Sequence, residues 1–214
     1  MTELLIPAGR VRLAGDVTAP AGAAGTVLFA HGSGSSRLSP RNQFVAAALR
    51  QRNLATVLVD LLTDEEERVD VVTAELRFDV ELLAARLIDI LDWLGTGAAG
   101  AGGGGPVGLF GASTGAAAAL LAAAGRPDAV RAVVSRGGRP DLAGGALPAV
   151  TAPTLLLVGG LDTQVLELNE RAAAVLGGPV EVRVVPGAGH LFEESGALEA
   201  VAADAGSWFI EHLR

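Results

Sequence analysis

The 214-residue chain has no cysteine and no lysine. The first absence removes disulfides, thiolate metal sites and thiol nucleophiles together, and is compatible with a reducing cytoplasm, the expected location. The second removes Schiff-base and pyridoxal phosphate chemistry and a P-loop lysine. Runs of basic residues are missing as well. With 24 acidic and 16 basic residues the formal charge is -8, whereas nucleic acids and anionic membranes need clustered cations. Residues 1–16 lack the apolar core of a secretory signal. Two uncharged stretches, residues 93–125 and 142–161, are cut by glycines and prolines and read as loops joining buried elements, not as membrane spans. Three scattered histidines without H-x-x-x-H spacing supply no closed ligand set, so neither a metal nor another cofactor is expected.

What the chain has in quantity is hydrophobic residues, 50% of the total, enough for one sizeable core and a single domain over residues 1–214. "ELLIP" and "VRLAGDV" read as an antiparallel pair. Six short, β-branched, almost continuously apolar runs follow: Thr26–Ala30, Ala55–Asp60, Pro106–Phe110, Ala129–Ser135, Thr154–Gly159 and Val180–Val185. Such runs suit strands buried on both faces. Between them, helical spacing is expected over Pro40–Arg52, Val71–Leu94, Ser113–Ala124, Gln164–Leu176 and Glu193–Leu213. Strand and helix in alternation imply an α/β fold, a mostly parallel sheet with helices on both faces. The literal G-x-G-x-x-G at Gly100, Gly102 and Gly105 follows a helix and leads into a strand, the reverse of a nucleotide site, and reads as a spacer.

"GASTG", Gly111–Gly115, is a complete G-x-S-x-G lying between an expected strand and an expected helix. A serine in so sharp a turn projects above the carboxyl ends of the strands, and the flanking glycines let strand and helix close around it. A serine here can also simply cap its helix. Its partners favour the nucleophile. Of the three histidines, His212 falls on the polar side of the last helix and reads as surface, while His190 sits in a glycine-rich loop after the last strand, on the same sheet edge as Ser113. Asp162 follows the preceding strand and can either orient His190 or cap the next helix. Asp128 and Asp141 are weaker candidates, one preceding its strand and the other in a proline-rich turn. The order Ser113, Asp162, His190 is that of α/β-hydrolases. His31 opens the glycine-rich loop after the first parallel strand and reads as a structural histidine. Backbone N–H groups of Ser33 and Thr114 are the expected oxyanion donors.

On the blocks "VLFAHGSGSS", "GASTG", "PTLLLVGGLD" and "VPGAGHLFEE", the sequence resembles a small α/β-hydrolase of the dienelactone hydrolase-like branch over nearly its whole length. The resemblance implies about eight strands, the second antiparallel, and hydrolysis of a small ester or thioester through an acyl-serine intermediate. Dienelactone hydrolases proper carry cysteine where this chain has Ser113, which sets dienelactone itself aside as substrate. A non-catalytic ligand-binding protein, a peptidase and a perhydrolase use the same residues.

Only about 18 residues separate Ser135 from Thr154, too few for a large cap domain. Any partial cover is expected from residues 61–70. Aromatics at 4% argue against a pocket for long acyl chains. Arg37 and Arg136, both after strand carboxyl ends, are candidate binders of an anionic substrate group, against the alternative of pairing with Asp60, Asp141 or Glu193. The expected partner is a small-molecule ester, with the protein a monomer or homodimer.

Overall fold

The computed structural model describes residues 2–100 and 105–213. Eight strands form one sheet: β1 (Thr2–Ala8), β2 (Val11–Thr18), β3 (Thr26–Ala30), β4 (Ala55–Val59), β5 (Val107–Ala112), β6 (Val130–Arg136), β7 (Thr154–Gly159) and β8 (Val180–Val185). Their order is β1-β2-β4-β3-β5-β6-β7-β8. β2 runs antiparallel to both β1 and β4, and from β4 to β8 every pairing is parallel. β3, β4, β5 and β7 are buried along their whole length. The exception to the expected burial is β8, which is largely accessible, with Val184 45% exposed. It is an edge strand, and an apolar composition cannot distinguish an edge from the centre.

Helices cover both faces. α1 (Pro40–Gln51) and α6 (Ala197–His212) bury Val45, Leu49, Val201 and Phe209 against Val27, Phe29 and Phe110. α3 (Val80–Gly95) and α4 (Thr114–Gly125) bury Leu83, Leu87, Ile90 and the alanines of α4 against Leu28, Val57 and Leu109. α5 (Thr163–Ala173) lies against β7 and β8. Alternate residues of β3 thus enter opposite cores, as period-two side chains must.

The expected helix over Val71–Leu94 is in fact two. α2 (Asp64–Thr73) ends at Ala74, whose φ is 55°, and a short 3-10 turn (Leu76–Phe78) precedes α3. Capping chemistry outweighs the periodicity. Thr63 and Glu66 form a reciprocal capping box that starts α2, Asp79 caps α3 by accepting the Leu82 N–H, and the Asp70 carboxylate accepts from the N–H groups of Leu76 and Arg77. The spacer motif at Gly100–Gly105 includes Gly102, which lies outside the described residues. No helix among the described residues is long and apolar enough to cross a membrane.

Candidate active site

β5 stops at Ala112 and α4 starts at Thr114, so Ser113 alone makes the turn. Its backbone has φ 51° and ψ -121°, a conformation costing of order 1–3 kcal/mol for a residue with a Cβ. The neighbours enforce it. A Cβ on Gly111 would overlap Ala116 of α4, and one on Gly115 would overlap the carbonyl oxygens of Ala30 and His31 at the end of β3. The Ser113 side chain accepts no capping hydrogen bond from the N–H groups of α4. Its backbone N–H instead donates to the Arg136 carbonyl at 3.2 Å and its carbonyl accepts from Arg139 N–H at 3.1 Å. The serine is therefore fastened from both sides by the chain that leaves β6.

Asp162 occupies the N-cap position of α5 but makes no side-chain cap. Its Oδ2 lies 2.6 Å from His190 Nδ1. A carboxylate only accepts, so Nδ1 donates to it and, in the neutral tautomer this selects, Nε2 is the accepting nitrogen. The loops that bring these two residues together are themselves tied: Leu161 N–H donates to the Ala188 carbonyl at 2.9 Å, and Gly189 N–H to Glu194 Oε1 at 3.0 Å. Phe192, two residues past His190, is buried in the core with φ 56°, and so pins the loop by burial.

His190 and Ser113 line one cleft of about 260 Å³, together with Ser33, Ser35, Arg41 and Arg136. No hydrogen bond joins Ser113 and His190 directly. Residues 61–70 contribute nothing to this cleft. They line an adjoining hollow of about 410 Å³ that shares Ser35 and Ser39 with the cleft, reaches from His31 to Asp60, Asp64 and Glu67, and is lined by neither Ser113 nor His190. The walls of the serine's cleft come from the segment joining β3 to α1, from α1 itself and from Leu191.

The expected oxyanion donors meet differently. Ser33 N–H donates to Thr114 Oγ1 at 2.9 Å. Thr114 opens α4, and a side chain there leans back toward the helix N-terminus, into the loop after β3. Its own N–H, in the first helical turn, has no intrahelical carbonyl to bond. Of the two amides expected to be free, the one on Ser33 is thus engaged. His31 uses both ring nitrogens in the fold: Nδ1–H donates to the Gly32 carbonyl at 2.9 Å and Nε2 accepts from Leu61 N–H at 3.0 Å. Burial pushes its pKa down and keeps it neutral.

The two arginines separate. Arg37 is not brought to the cleft: its guanidinium pairs with Asp60 and stands 3.6 Å from Asp16, and its backbone N–H donates to Asp60 at 2.6 Å. Arg136 does line the cleft, 8% exposed. Burial, with Arg41 nearby, pulls its pKa down to about 10, so it remains a cation at neutral pH. Asp141 is taken by Arg139 at 2.7 Å. Asp128 and His212 lie at the other end of the strands, where they line a hollow with Pro106 and Val107. His212 is half-buried there with its ring 4.5 Å from that of Trp208, contrary to its reading as a surface residue. Asn42, whose Oδ1 faces Arg136 from α1 at 3.4 Å, was not anticipated. Nothing in its helical spacing distinguishes it from a surface position.

No protein-family model matches the chain. The crystal structure of a dienelactone hydrolase from Anabaena variabilis shares 55% identity, with a TM-score of 0.95, over 100% of this chain and 99% of that one. Est1E of Butyrivibrio proteoclasticus has the same fold at 14% identity and TM-score 0.80, each chain covered to 98%. So does P91, a dienelactone hydrolase-like promiscuous phosphotriesterase from metagenomic libraries, at 16% identity and TM-score 0.79 over 100% of this chain and 98% of that one. A Mycobacterium tuberculosis protein named "Putative phosphoribosyl transferase" is 58% identical over 211 residues, 99% of this chain and 46% of its own. The chain thus spans about half the length of the curated relatives it matches.

Proposed function

The chain belongs to the dienelactone hydrolase family of α/β-hydrolases, and from that premise we propose that it is a serine hydrolase of small carboxylic esters or thioesters acting in the cytoplasm. Ser113 is the nucleophile, His190 the base and Asp162 the orienting acid. The observation that carries this reading is the Asp162 carboxylate, which leaves its own helix uncapped to bond His190 at 2.6 Å. An aspartate ordinarily caps a helix N-terminus for about 1 kcal/mol, so its diversion to an imidazole asks for another use.

In this reading Ser113 Oγ adds to the substrate carbonyl carbon while His190 Nε2 takes its proton. The resulting alkoxide is received by Thr114 N–H and, in place of the expected Ser33 amide, by the Thr114 hydroxyl that this amide holds. Collapse breaks the bond to the alcohol or thiol, which leaves with the proton from His190. Water then attacks the acyl-serine, gives its proton to His190, and frees the acid and Ser113. The Ser113–His190 hydrogen bond forms when substrate fills the cleft, as such bonds commonly tighten on binding.

A binding protein without turnover is the second reading, and the engaged Ser33 amide favours it. Short-chain p-nitrophenyl esters separate the two. Hydrolysis by the wild type should fall by several orders of magnitude in Ser113→Ala, to the roughly 10³–10⁴-fold over water that binding and the oxyanion site retain in such triads. A fluorophosphonate should label the peptide containing Ser113. Equal rates in both proteins, with no label, reject the hydrolase. We assign no transferase step to this chain, since that name belongs to proteins of which it matches less than half.

A further inference from the structure

We propose that the protein is a homodimer built on β8: the open edges of two copies pair antiparallel about a two-fold axis at Val182, joining two eight-stranded sheets into one. The pairing is independent of the chemistry assigned to Ser113.

Among the described residues β8 has a neighbouring strand on one side, β7. That side fixes the phase of its hydrogen bonds. The Pro179 and Val185 carbonyls accept from the N–H groups of Thr154 and Gly160, so the odd-numbered residues turn their backbone groups toward β7. Val180, Val182 and Val184 therefore turn theirs outward. Such an edge is a template for another strand, and proteins commonly blunt it with proline, a bulge or charges. The edge strand on the other side of the sheet, β1, contains Pro7. β8, "VEVRVV", has no proline, pairs with β7 without a register shift, and carries two charges that cancel, Glu181 and Arg183.

Side chains alternate along the same strand. Glu181 and Arg183 share the α6 side of the sheet, where Arg183 donates to Glu181 at 2.6 Å and to Asp204 of α6 at 2.8 Å. The three valines share the other side. There Val184 lies against Gly160, and the next residue, Leu161, is 69% exposed.

A second copy is the occupant because the strand is complementary to itself. Outward-turned residues must stand opposite outward-turned residues for the ladder to form. With the axis at Val182, that residue faces Val182 of the partner subunit and Val180 faces Val184 of the partner subunit, so valine meets valine along one side of the sheet. On the other side Glu181 stands opposite Arg183 of the partner subunit, and the two-fold axis repeats the pair. These are the closely spaced, non-hydrogen-bonded positions, with Cα atoms about 4.5 Å apart, where opposite charges attract and like charges repel most directly. Moving the axis by one residue keeps the hydrogen bonds in phase but sets Glu181 against Glu181 of the partner subunit, or Arg183 against Arg183 of the partner subunit. Charge thus selects one register, and an isologous contact of this kind closes at two copies.

Sedimentation of the full chain tests the pairing. The wild type should run at twice 21.5 kDa. Val182→Pro removes an outward N–H that an edge strand can spare, and should give a folded monomer. Glu181→Arg and Arg183→Glu each set like charges opposite one another and should weaken association roughly 10- to 100-fold. Mixed together the two variants should dimerise again, since one strand then carries two cations and the other two carboxylates; recovery also shows that both fold. The chain has no cysteine, so Val182→Cys reads the register directly: its Cα atoms would lie about 5.5 Å apart across the axis, within disulfide reach, whereas Val180→Cys would place its own about 14 Å apart. Oxidation should cross-link the first and not the second. A wild type that stays at 21.5 kDa up to about 1 mM, the weak end of specific association, overturns the proposal. So does a dimer that survives Val182→Pro, or one in which the two cysteine variants cross-link equally.

Discussion

Two arginines stand at the carboxyl rim of the sheet, Arg37 after β3 and Arg136 at the end of β6, and the protein treats their charges in opposite ways. Around Arg37 the charge is paired. Asp60 and Asp16 face it, and Gln43 Nε2 donates to its carbonyl at 2.8 Å. Nearby, both nitrogens of His31 are used, and the Ser33 amide is held by Thr114. Around Arg136 the groups are left open: a guanidinium without a carboxylate, an aspartate that declines its helix, and a 40% exposed imidazole. The β3–β4 side of Ser113 is built as scaffold, and the β6–β8 side retains unsatisfied chemistry. Substitutions on the first should therefore cost stability and those on the second activity.

The largest effect expected is on the open side. Asp162→Asn should lower kcat by about 10⁴, because an amide no longer fixes the proton on Nδ1, and should leave the melting temperature within a few degrees of wild type, since asparagine can resume the helix cap. A loss below tenfold would remove Asp162 from the chemistry. Arg37→Met comes next. It leaves Asp60 and the buried Asp16 without their cation and should cost about 3 kcal/mol in chemical denaturation, with ester hydrolysis by the remaining folded protein little changed. The same substitution at the other arginine should have the opposite sign: Arg136→Met removes an unpaired buried charge and should stabilise by about 1 kcal/mol, raising Tm by a few degrees. If Arg136→Met destabilises as Arg37→Met does, the two sides do not differ as described.

The smallest effect is a pH dependence on the scaffold side. Burial lowers the folded-state pKa of His31 below its ordinary 6.5, so the unfolded chain binds a proton there that the native state refuses. The stabilisation is present above pH 6.5 and is lost as pH falls toward the lower folded-state value. Between pH 7 and 5 the wild type should lose a few degrees of Tm more than His31→Asn does. Parallel slopes in a melting series would show that His31 does not carry this dependence.

Much of this was readable before any coordinates. Continuous apolar runs located β3, β7 and β8, and G-x-S-x-G between a strand and a helix located the turn at Ser113, because glycine is the residue that permits its backbone and its close contacts. The break between α2 and α3 was missed. Apolar spacing runs through it, while Asp70, which accepts from the N–H groups of Leu76 and Arg77, and Asp79, which caps α3, interrupt it; the Asp79 cap is a local pattern, whereas the Asp70 contact appears only once the chain turns back on itself. The open edge of β8 was missed for a similar reason, since a strand's composition does not record what lies beside it.

The sequence by itself determined which residues stand at strand ends, and so which hydroxyl, carboxylates and cations reach the carboxyl rim, because period and punctuation are local properties. It could not decide how those groups pair. Arg37 and Arg136 read alike in one dimension, as did the two uses open to Asp162. Only the tertiary structure set Asp60 beside one arginine, Arg41 near the other, and His190 within bonding reach of Asp162. Charge pairing depends on distance and desolvation, both fixed by residues far apart in the chain.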